Sequence, residues 1–157
     1  MRASVLVVAT FLAACRGNAS QATARPPAFD SGALTRVITV QLERSARDWN
    51  RGALAAFLSD YAQESTTTFI DGRRARSGID FIRDVYEPRF SGKVRRDSLH
   101  FEEIEARPLS PTLTLVTARF VLQRGPEITA SGPFTLVMER RLDGWKILHD
   151  HSSSDPR

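Results

Sequence analysis

Residues 134–153 read FTLVMERRLDGWKILHDHSS and contain the clearest strand pattern of the sequence. Apolar residues occupy every second position of its first half, which is the pattern of a strand with one buried face. Asp143 and Gly144 then form a dipeptide that favours a tight turn, and a second strand follows from Trp145 to about Ser152. The stretch therefore predicts an antiparallel hairpin at the end of the domain.

Two more strands are predicted before this hairpin, over residues 98–107 and 113–123. The first has apolar residues at Leu99 and Phe101 and again at Ile104 and Ala106, so the alternation changes phase between the two pairs. Such a change indicates a β-bulge, here at residues 102–103. The second strand keeps one phase throughout. Together with the hairpin, these strands predict a four-stranded antiparallel meander.

Helical spacing of apolar residues predicts three helices ahead of the meander. The first begins near Asp30 or Ser31 and stops at residues 50–52, and the second covers about residues 53–59. A hairpin over residues 65–76, with its turn at Asp71 and Gly72, precedes the third. Residues 77–80 resemble a capping box at the start of this third helix, and Pro88 ends or kinks it. Helices and an antiparallel sheet in this order predict an α+β domain with the helices on one face.

The N-terminal residues predict export and lipidation. Arg2 precedes a run of apolar residues that is too short to span a bilayer, and the run ends Leu12-Ala13-Ala14-Cys15, which resembles the lipobox of bacterial lipoproteins. We therefore expect a signal peptide over residues 1–14, a lipidated Cys15 and a flexible tether over residues 15–30. Residue 16 is not aspartate. By resemblance to the sorting rules of bacterial lipoproteins, we therefore expect the protein to be anchored in the outer membrane, with its domain facing the periplasm. Two alternatives are an ordinary secretory signal and a cytosolic protein with an apolar start.

Composition limits the class of partner. The net charge of +4 comes from 22 basic and 18 acidic residues, and the basic residues are dispersed rather than gathered in a stripe with aromatic residues between them. This distribution is typical of a solvated surface, so no nucleic-acid partner is predicted. Cys15 is the one cysteine of the sequence, which excludes a disulfide within the chain.

Several local strings resemble a known family. They are Trp49-Asn50-Arg51-Gly52 with Leu54, Phe57 and Tyr61; Asp71-Gly72 with Gly78; Leu109-Ser110-Pro111 with Val116-Thr117; and the strings within residues 134–153. In this order they resemble the nuclear transport factor 2-like superfamily, and within it the SnoaL-like branch and the domain-of-unknown-function family numbered 4440. The resemblance covers residues 31–154, and it departs at Ala53, where the family usually has an acid.

The resemblance implies a cone-shaped curved sheet with three helices closing one end and a pocket inside. It also implies homodimers through the open face of the sheet. Steroid-isomerase relatives use a tyrosine of the first helix and carboxylates that face the cone. Here the first helix has no tyrosine and residues 65–70 have no acid, so the isomerase mechanism is disfavoured.

His149, Asp150 and His151 are the candidate catalytic residues. Regular alternation puts both histidines on one face of the last strand with Trp145 and Ile147, and it puts Asp150 on the opposite face. Two imidazoles so spaced could give and accept protons. They could also supply half of a metal site, but a third ligand at a recognisable spacing is missing, so no metal is predicted. The alternative is a structural role in hydrogen bonds to neighbouring strands.

Six residues are candidate ligand contacts: Trp49, Tyr61, Phe69, Tyr86, Phe90 and Arg119. The aromatic residues are expected in the pocket wall or in the core. Arg119 lies mid-strand among apolar residues, where an unpaired charge is costly. It therefore either pairs with Glu102, Glu103 or Asp150, or faces an anionic ligand, unless it is exposed on a dimer face.

Two functions follow from these features. The first is an envelope-anchored lipoprotein whose domain binds a small ligand or associates through its sheet. The second is a cofactor-free lyase, isomerase or hydrolase that uses a His/Asp acid–base pair in the pocket, with a tyrosine hydroxyl if it is a dehydratase. The sequence has no glycine-rich phosphate loop and no dinucleotide fingerprint, so no cofactor is predicted.

Overall fold

The fold is given by a computed structural model that describes residues 30–71 and 74–156. The predicted signal peptide (1–14), Cys15 and the tether up to residue 29 lie outside the described residues, as do residues 72 and 73 of the predicted hairpin. The described residues form, in chain order, α1 (Ser31–Asn50), α2 (Leu54–Leu58), β1 (Thr68–Ile70), β2 (Ala75–Ser77), α3 (Ile79–Phe90), β3 (Ser98–Pro108), β4 (Leu113–Arg124), β5 (Glu127–Arg141) and β6 (Gly144–Ser152). Within them, no helix is both long and apolar enough to cross a membrane.

The six strands form one curved, mixed sheet in the order β2-β1-β6-β5-β4-β3. The predicted meander of β3 to β6 is confirmed, with antiparallel pairing between each consecutive pair. The early hairpin of β1 and β2 joins the same sheet because β1 pairs in parallel with β6. The α+β class is therefore confirmed. Of the described helices, α1 and α2 precede the sheet, whereas α3 follows β2.

Helix α1 begins and ends where the sequence predicts. The side chain of Asp30 caps it by accepting a hydrogen bond from the Ala33 amide at 2.9 Å. Ile38, Leu42 and Trp49 recur at helical spacing and are buried against the sheet. At the last turn, the Asn50 side chain bonds both backbone groups of Leu99, at 2.7 and 2.9 Å, and so fixes α1 to β3.

Helix α3 departs from the sequence prediction at its first turn, and Pro88, predicted to end or kink it, does not end it. Ser77 ends β2 and Gly78 is the N-cap, with no side-chain cap bond, so the predicted capping box is wrong. Gly78 has a φ of 105°, a conformation that residues with a side chain rarely adopt. At the other end the helix continues past Pro88 to Phe90, because proline removes one amide donor while the Ser91 amide still bonds the Glu87 carbonyl at 2.8 Å.

Two of the three register shifts in the sheet decide which residues of β3 and β6 face the cavity, and the third lies between Leu122 and Gln123 of β4. The predicted bulge in β3 is confirmed, since the pairing with β4 shifts between Glu102 and Glu105, and Glu103 has a φ of 53°. A second bulge, in β6, was not predicted. Met138 of β5 pairs with Ile147, whereas Val137 pairs with His149, so the register shifts at Leu148.

The core lies between the helices and the inner face of the sheet. Its buried side chains include Ile38, Leu42, Trp49, Phe57, Leu58, Ile82, Val116, Leu136, Met138 and Ile147. This core does not fill the space behind the sheet, and the unfilled part is the candidate site.

Candidate functional site

A cavity of about 350 Å³ lies between the three helices and the inner face of the sheet. Its walls are mostly apolar and aromatic; they include Leu42, Trp49, Phe57, Phe69, Val85, Leu99, Phe101, Phe120, Leu122, Phe134, Leu136 and Ile147. The volume falls in the range of small-molecule sites, and apolar walls with a few polar groups are typical of such sites.

The polar centre of the cavity is formed by Asp150 with three hydroxyl groups around it. The Tyr61 hydroxyl donates to Asp150 Oδ2 at 2.7 Å, and the Ser152 hydroxyl donates to Oδ1 at 3.0 Å. The Tyr86 hydroxyl lies 3.4 Å from that of Tyr61. Asp150 is only 5% exposed, so its carboxyl group is hydrogen-bonded to protein hydroxyl groups rather than to bulk water.

Three separate segments bring these groups together. Tyr61 follows α2 and forms a bridge with Ile147, in which the Ala62 amide donates to the Ile147 carbonyl at 2.9 Å. Tyr86 is held on α3 by edge-on contacts with the rings of Phe57 and Trp49, whose centroids lie 5.0 and 5.9 Å away. Asp150 turns inward because the bulge at Leu148 changes the phase of β6.

Burial changes the acidity of all three groups. It raises the pKa of Asp150 to about 6, and the hydrogen bonds from Tyr61 and Ser152 and the charge of His151 oppose the rise. Burial, followed by the charge of Asp150, raises the pKa of both Tyr61 and Tyr86. The tyrosines therefore remain protonated donors at neutral pH, while the carboxyl group can gain or lose a proton near pH 6.

The bulge in β6 separates the three predicted catalytic residues. Ile147 and Asp150 both line the cavity, whereas neither His149 nor His151 does. The expectation that Ile147 shares a face with the histidines is therefore wrong, because the extra residue reverses the alternation after Ile147. His149 Nδ1 lies 2.6 Å from the Thr68 hydroxyl on β1, and burial followed by the charge of His151 lowers its pKa. His151 is exposed.

The predicted ligand contacts fall into two groups. Trp49, Tyr61, Phe69 and Tyr86 line the cavity. Phe90 lies behind it, with its ring edge-on to Trp49 at 5.2 Å between centroids.

Arg119 does not line the cavity and forms an ion pair with Asp155. Asp155 also accepts a hydrogen bond from the Ser131 hydroxyl at 2.7 Å. The predicted partners Glu102, Glu103 and Asp150 are therefore wrong. The actual partner was missed because residue 155 lies beyond the predicted end of the domain.

Sequence reasoning missed five polar residues of the cavity wall: Ser45, Asp71, Arg89, Ser152 and Ser154. Arg89 had a signal, since it lies one helical turn after Tyr86 on the inward side of α3. Ser152 had none, because its inward direction depends on the bulge. The described part of the chain holds no group of three or more His, Cys, Asp or Glu side chains that could bind a metal ion.

This architecture, three helices around a curved mixed sheet that encloses an apolar cavity, is that of nuclear transport factor 2-like proteins. A family model for the SnoaL-like domain matches residues 38–156, and the chain belongs to this family. No curated protein matches the chain.

Solved structures show the same fold. A nuclear transport factor 2-like protein of unknown function from Shewanella oneidensis is 30% identical, with a TM-score of 0.66 over 78% of this chain and 98% of that one. A candidate scytalone dehydratase from Novosphingobium aromaticivorans is 13% identical, with a TM-score of 0.67 over 81% and 88% of the two chains. A ketosteroid isomerase-like protein from Erwinia carotovora atroseptica is 16% identical, with a TM-score of 0.56 over 78% and 98%.

Proposed function

We propose that the domain binds a small, mainly apolar molecule that carries a hydrogen-bonding oxygen atom. The observation that carries this proposal is the buried cluster of Asp150, Tyr61 and Tyr86 at the polar centre of an apolar cavity. The aromatic walls would cover the apolar body of the ligand. Since Tyr61 donates its one proton to Asp150, Tyr86 is the donor in its long contact with Tyr61, and it can turn this proton to the ligand's oxygen atom instead.

Binding of phenylnaphthylamine, a neutral aromatic probe that fluoresces in apolar surroundings, tests this proposal. Ala130 lines the cavity, and a large side chain there would occupy the space. Ala130→Trp should abolish saturable binding, while Ala55→Trp on the exposed side of α2 should leave it unchanged. Equal binding by the wild type and both variants would show that the probe sits elsewhere and would contradict the proposal.

A second candidate function is proton-transfer catalysis of the lyase, isomerase or hydrolase type. The observation that favours it is the raised pKa of the buried Asp150, about 6. A carboxyl group with such a pKa can both accept and donate a proton near neutral pH. Asp150 with the tyrosine hydroxyls takes the place of the predicted His/Asp pair, since both imidazoles lie outside the cavity. Two proteins with this fold are described as a candidate scytalone dehydratase and a ketosteroid isomerase-like protein, which agrees with this chemistry.

Deuterium exchange into tetralone, a bicyclic ketone, tests this second function. In such a step the Asp150 carboxylate takes a proton from the carbon next to the carbonyl group, a tyrosine hydroxyl hydrogen-bonds the resulting enolate oxygen, and a deuteron returns to that carbon. The protein should accelerate exchange over buffer, and Asp150→Asn should abolish the acceleration. Exchange at the same rate in both proteins would exclude Asp150 as the base.

We also propose that the protein is anchored to the bacterial outer membrane, facing the periplasm, through a lipid on Cys15. The support is the apolar run that ends in Leu12-Ala13-Ala14-Cys15, together with the polar, proline-containing segment that precedes α1. Expression with an alkyne-labelled fatty acid should label the wild type, and Cys15→Ser should be unlabelled and released from membranes. Absence of label on the wild type would refute the anchor.

A homodimer through the outer face of the sheet is the third part of the proposal. Leu115 and Val137 are paired neighbours on β4 and β5, they do not line the cavity, and both are partly exposed. An apolar pair on an open sheet face is suited to association. Sedimentation should give a dimer for the wild type and a monomer for Leu115→Glu; a monomeric wild type at all concentrations would contradict the dimer.

A further inference from the structure

Arg89 occupies a position of α3 where the helical pattern calls for an apolar residue. Ile82, Val85 and Tyr86 form the inward side of this helix at helical spacing, and residue 89 continues the same side. The structure agrees with the spacing, since Val85, Tyr86 and Arg89 all line the cavity. A charged side chain in an apolar wall is costly unless an opposite charge compensates it.

Arg89 is partly exposed, and in the described part of the chain no ion pair gives it that opposite charge. Each acid–base ion pair of the described residues joins other residues, and none of them includes Arg89. Asp71 also lines the cavity, and it has an interaction of its own within the chain. The positive charge of Arg89 reaches the polar centre: burial and the charge of Asp150 raise the pKa of Tyr86, and the charge of Arg89 opposes this rise while that of Asp71 adds to it.

We propose that Arg89 binds the anionic group of the ligand, so that the ligand class is a small amphipathic anion such as an aromatic carboxylate. A guanidinium group holds carboxylate and sulfonate oxygens with paired hydrogen bonds, which makes arginine well suited to this role. Residues three apart on a helix are neighbours on its surface, so one ligand can contact both Arg89 and Tyr86. This inference rests on the proposed ligand-binding function and specifies its ligand.

Two fluorescent probes that differ by one charged group provide the test. Anilinonaphthalene sulfonate is phenylnaphthylamine with an added sulfonate, so the pair isolates the contribution of the negative charge. Arg89→Gln removes the positive charge in the cavity wall, and Arg83→Gln removes a charge from the exposed side of the same helix as a matched control. Arg89→Lys keeps a positive charge and guards against a loss that comes only from altered packing.

Arg89→Gln should weaken the binding of the sulfonate probe about tenfold, as expected for a lost charge-assisted hydrogen bond. It should leave the neutral probe within about twofold, while Arg83→Gln changes neither probe and Arg89→Lys retains most of the sulfonate affinity. An equal effect of Arg89→Gln on both probes, or no effect on either, would overturn the assignment of Arg89. Failure of the wild type to bind the neutral probe would instead refute the proposed function, so the two failures are distinguishable.

Discussion

At Asp150 a carboxyl group is held away from bulk water but keeps two hydroxyl donors. Burial of an ionised carboxylate is costly, and the bonds from Tyr61 and Ser152 return only part of that cost, so the pKa rises to about 6. A group whose pKa is higher in the folded than in the unfolded protein stabilises the fold while it is protonated. That contribution is lost as the pH rises through the folded pKa.

Asp150→Asn should therefore make the protein less sensitive to pH. Asparagine resembles the protonated carboxyl group and does not ionise, so the variant does not lose stability through this group as the pH rises. The free energy of unfolding of the variant minus that of the wild type should therefore be about 2–3 kcal/mol larger at pH 7 than at pH 4. Urea unfolding across this range measures the difference. Asp84→Asn, at an exposed position of α3, is the control. A constant difference between Asp150→Asn and the wild type would contradict the raised pKa.

The two tyrosines should contribute unequally to stability. Tyr61 bonds the carboxyl group directly at 2.7 Å, whereas Tyr86 contacts only the Tyr61 hydroxyl, at 3.4 Å. Tyr61→Phe should cost about 1–3 kcal/mol at pH 7.5 because it removes a donor from a buried charge, and Tyr86→Phe should cost less than about 1 kcal/mol. Urea unfolding of both variants measures these losses in free energy of unfolding. A larger loss for Tyr86→Phe than for Tyr61→Phe would contradict the prediction.

At the scale of elements, the bulges explain where sequence reasoning succeeds. In β3 the apolar residues themselves change phase, so the bulge at Glu102 and Glu103 could be predicted from the sequence. In β6 the extra residue, Leu148, is apolar, and the inward residue after it, Asp150, is polar. Hydrophobic alternation therefore carries no trace of this second bulge, and the sides of the strand after Ile147 could not be assigned from the sequence.

Gly132 on β5 allows the C-terminal segment, residues 153–156, to lie against the sheet. The Ser153 amide bonds the Pro133 carbonyl at 3.1 Å and the Asp155 amide bonds the Ser131 carbonyl at 2.8 Å. A Cβ atom at residue 132 would lie 1.8 Å from the Ser153 carbonyl oxygen, which no backbone can accept.

Gly132→Ala should consequently detach this segment and cost about 1–3 kcal/mol, the usual range for overpacking. Hydrogen exchange should be faster at the amides of Ser153 and Asp155 than in the wild type. Ser131→Ala is the milder control, since it removes only the hydroxyl bond to Asp155 and leaves the space open. Unchanged protection of both amides in Gly132→Ala would contradict the close approach.

At the scale of the whole molecule, the fold was predictable and the polar centre of the cavity was predictable only in part. The long helices and the four strands of the meander carry their own hydrophobic periods, and the order of the elements indicated the superfamily. The meeting of Tyr61, Tyr86 and Asp150 depends on packing between residues separated by 25 and 89 positions, which no local pattern encodes. Periodicity could therefore predict the aromatic residues of the cavity wall, but it could not predict that His149 and His151 lie outside the cavity.

The carboxyl signal of Asp150, followed by carbon NMR through a pH titration with and without phenylnaphthylamine, tests the central claim most directly. A carboxyl group inside a ligand-accessible cavity should titrate near pH 6 in the free protein, because burial raises its pKa. The midpoint should move higher when the probe displaces water from the cavity. A midpoint near the ordinary value of 3.8, unaffected by the probe, would contradict the account of this site.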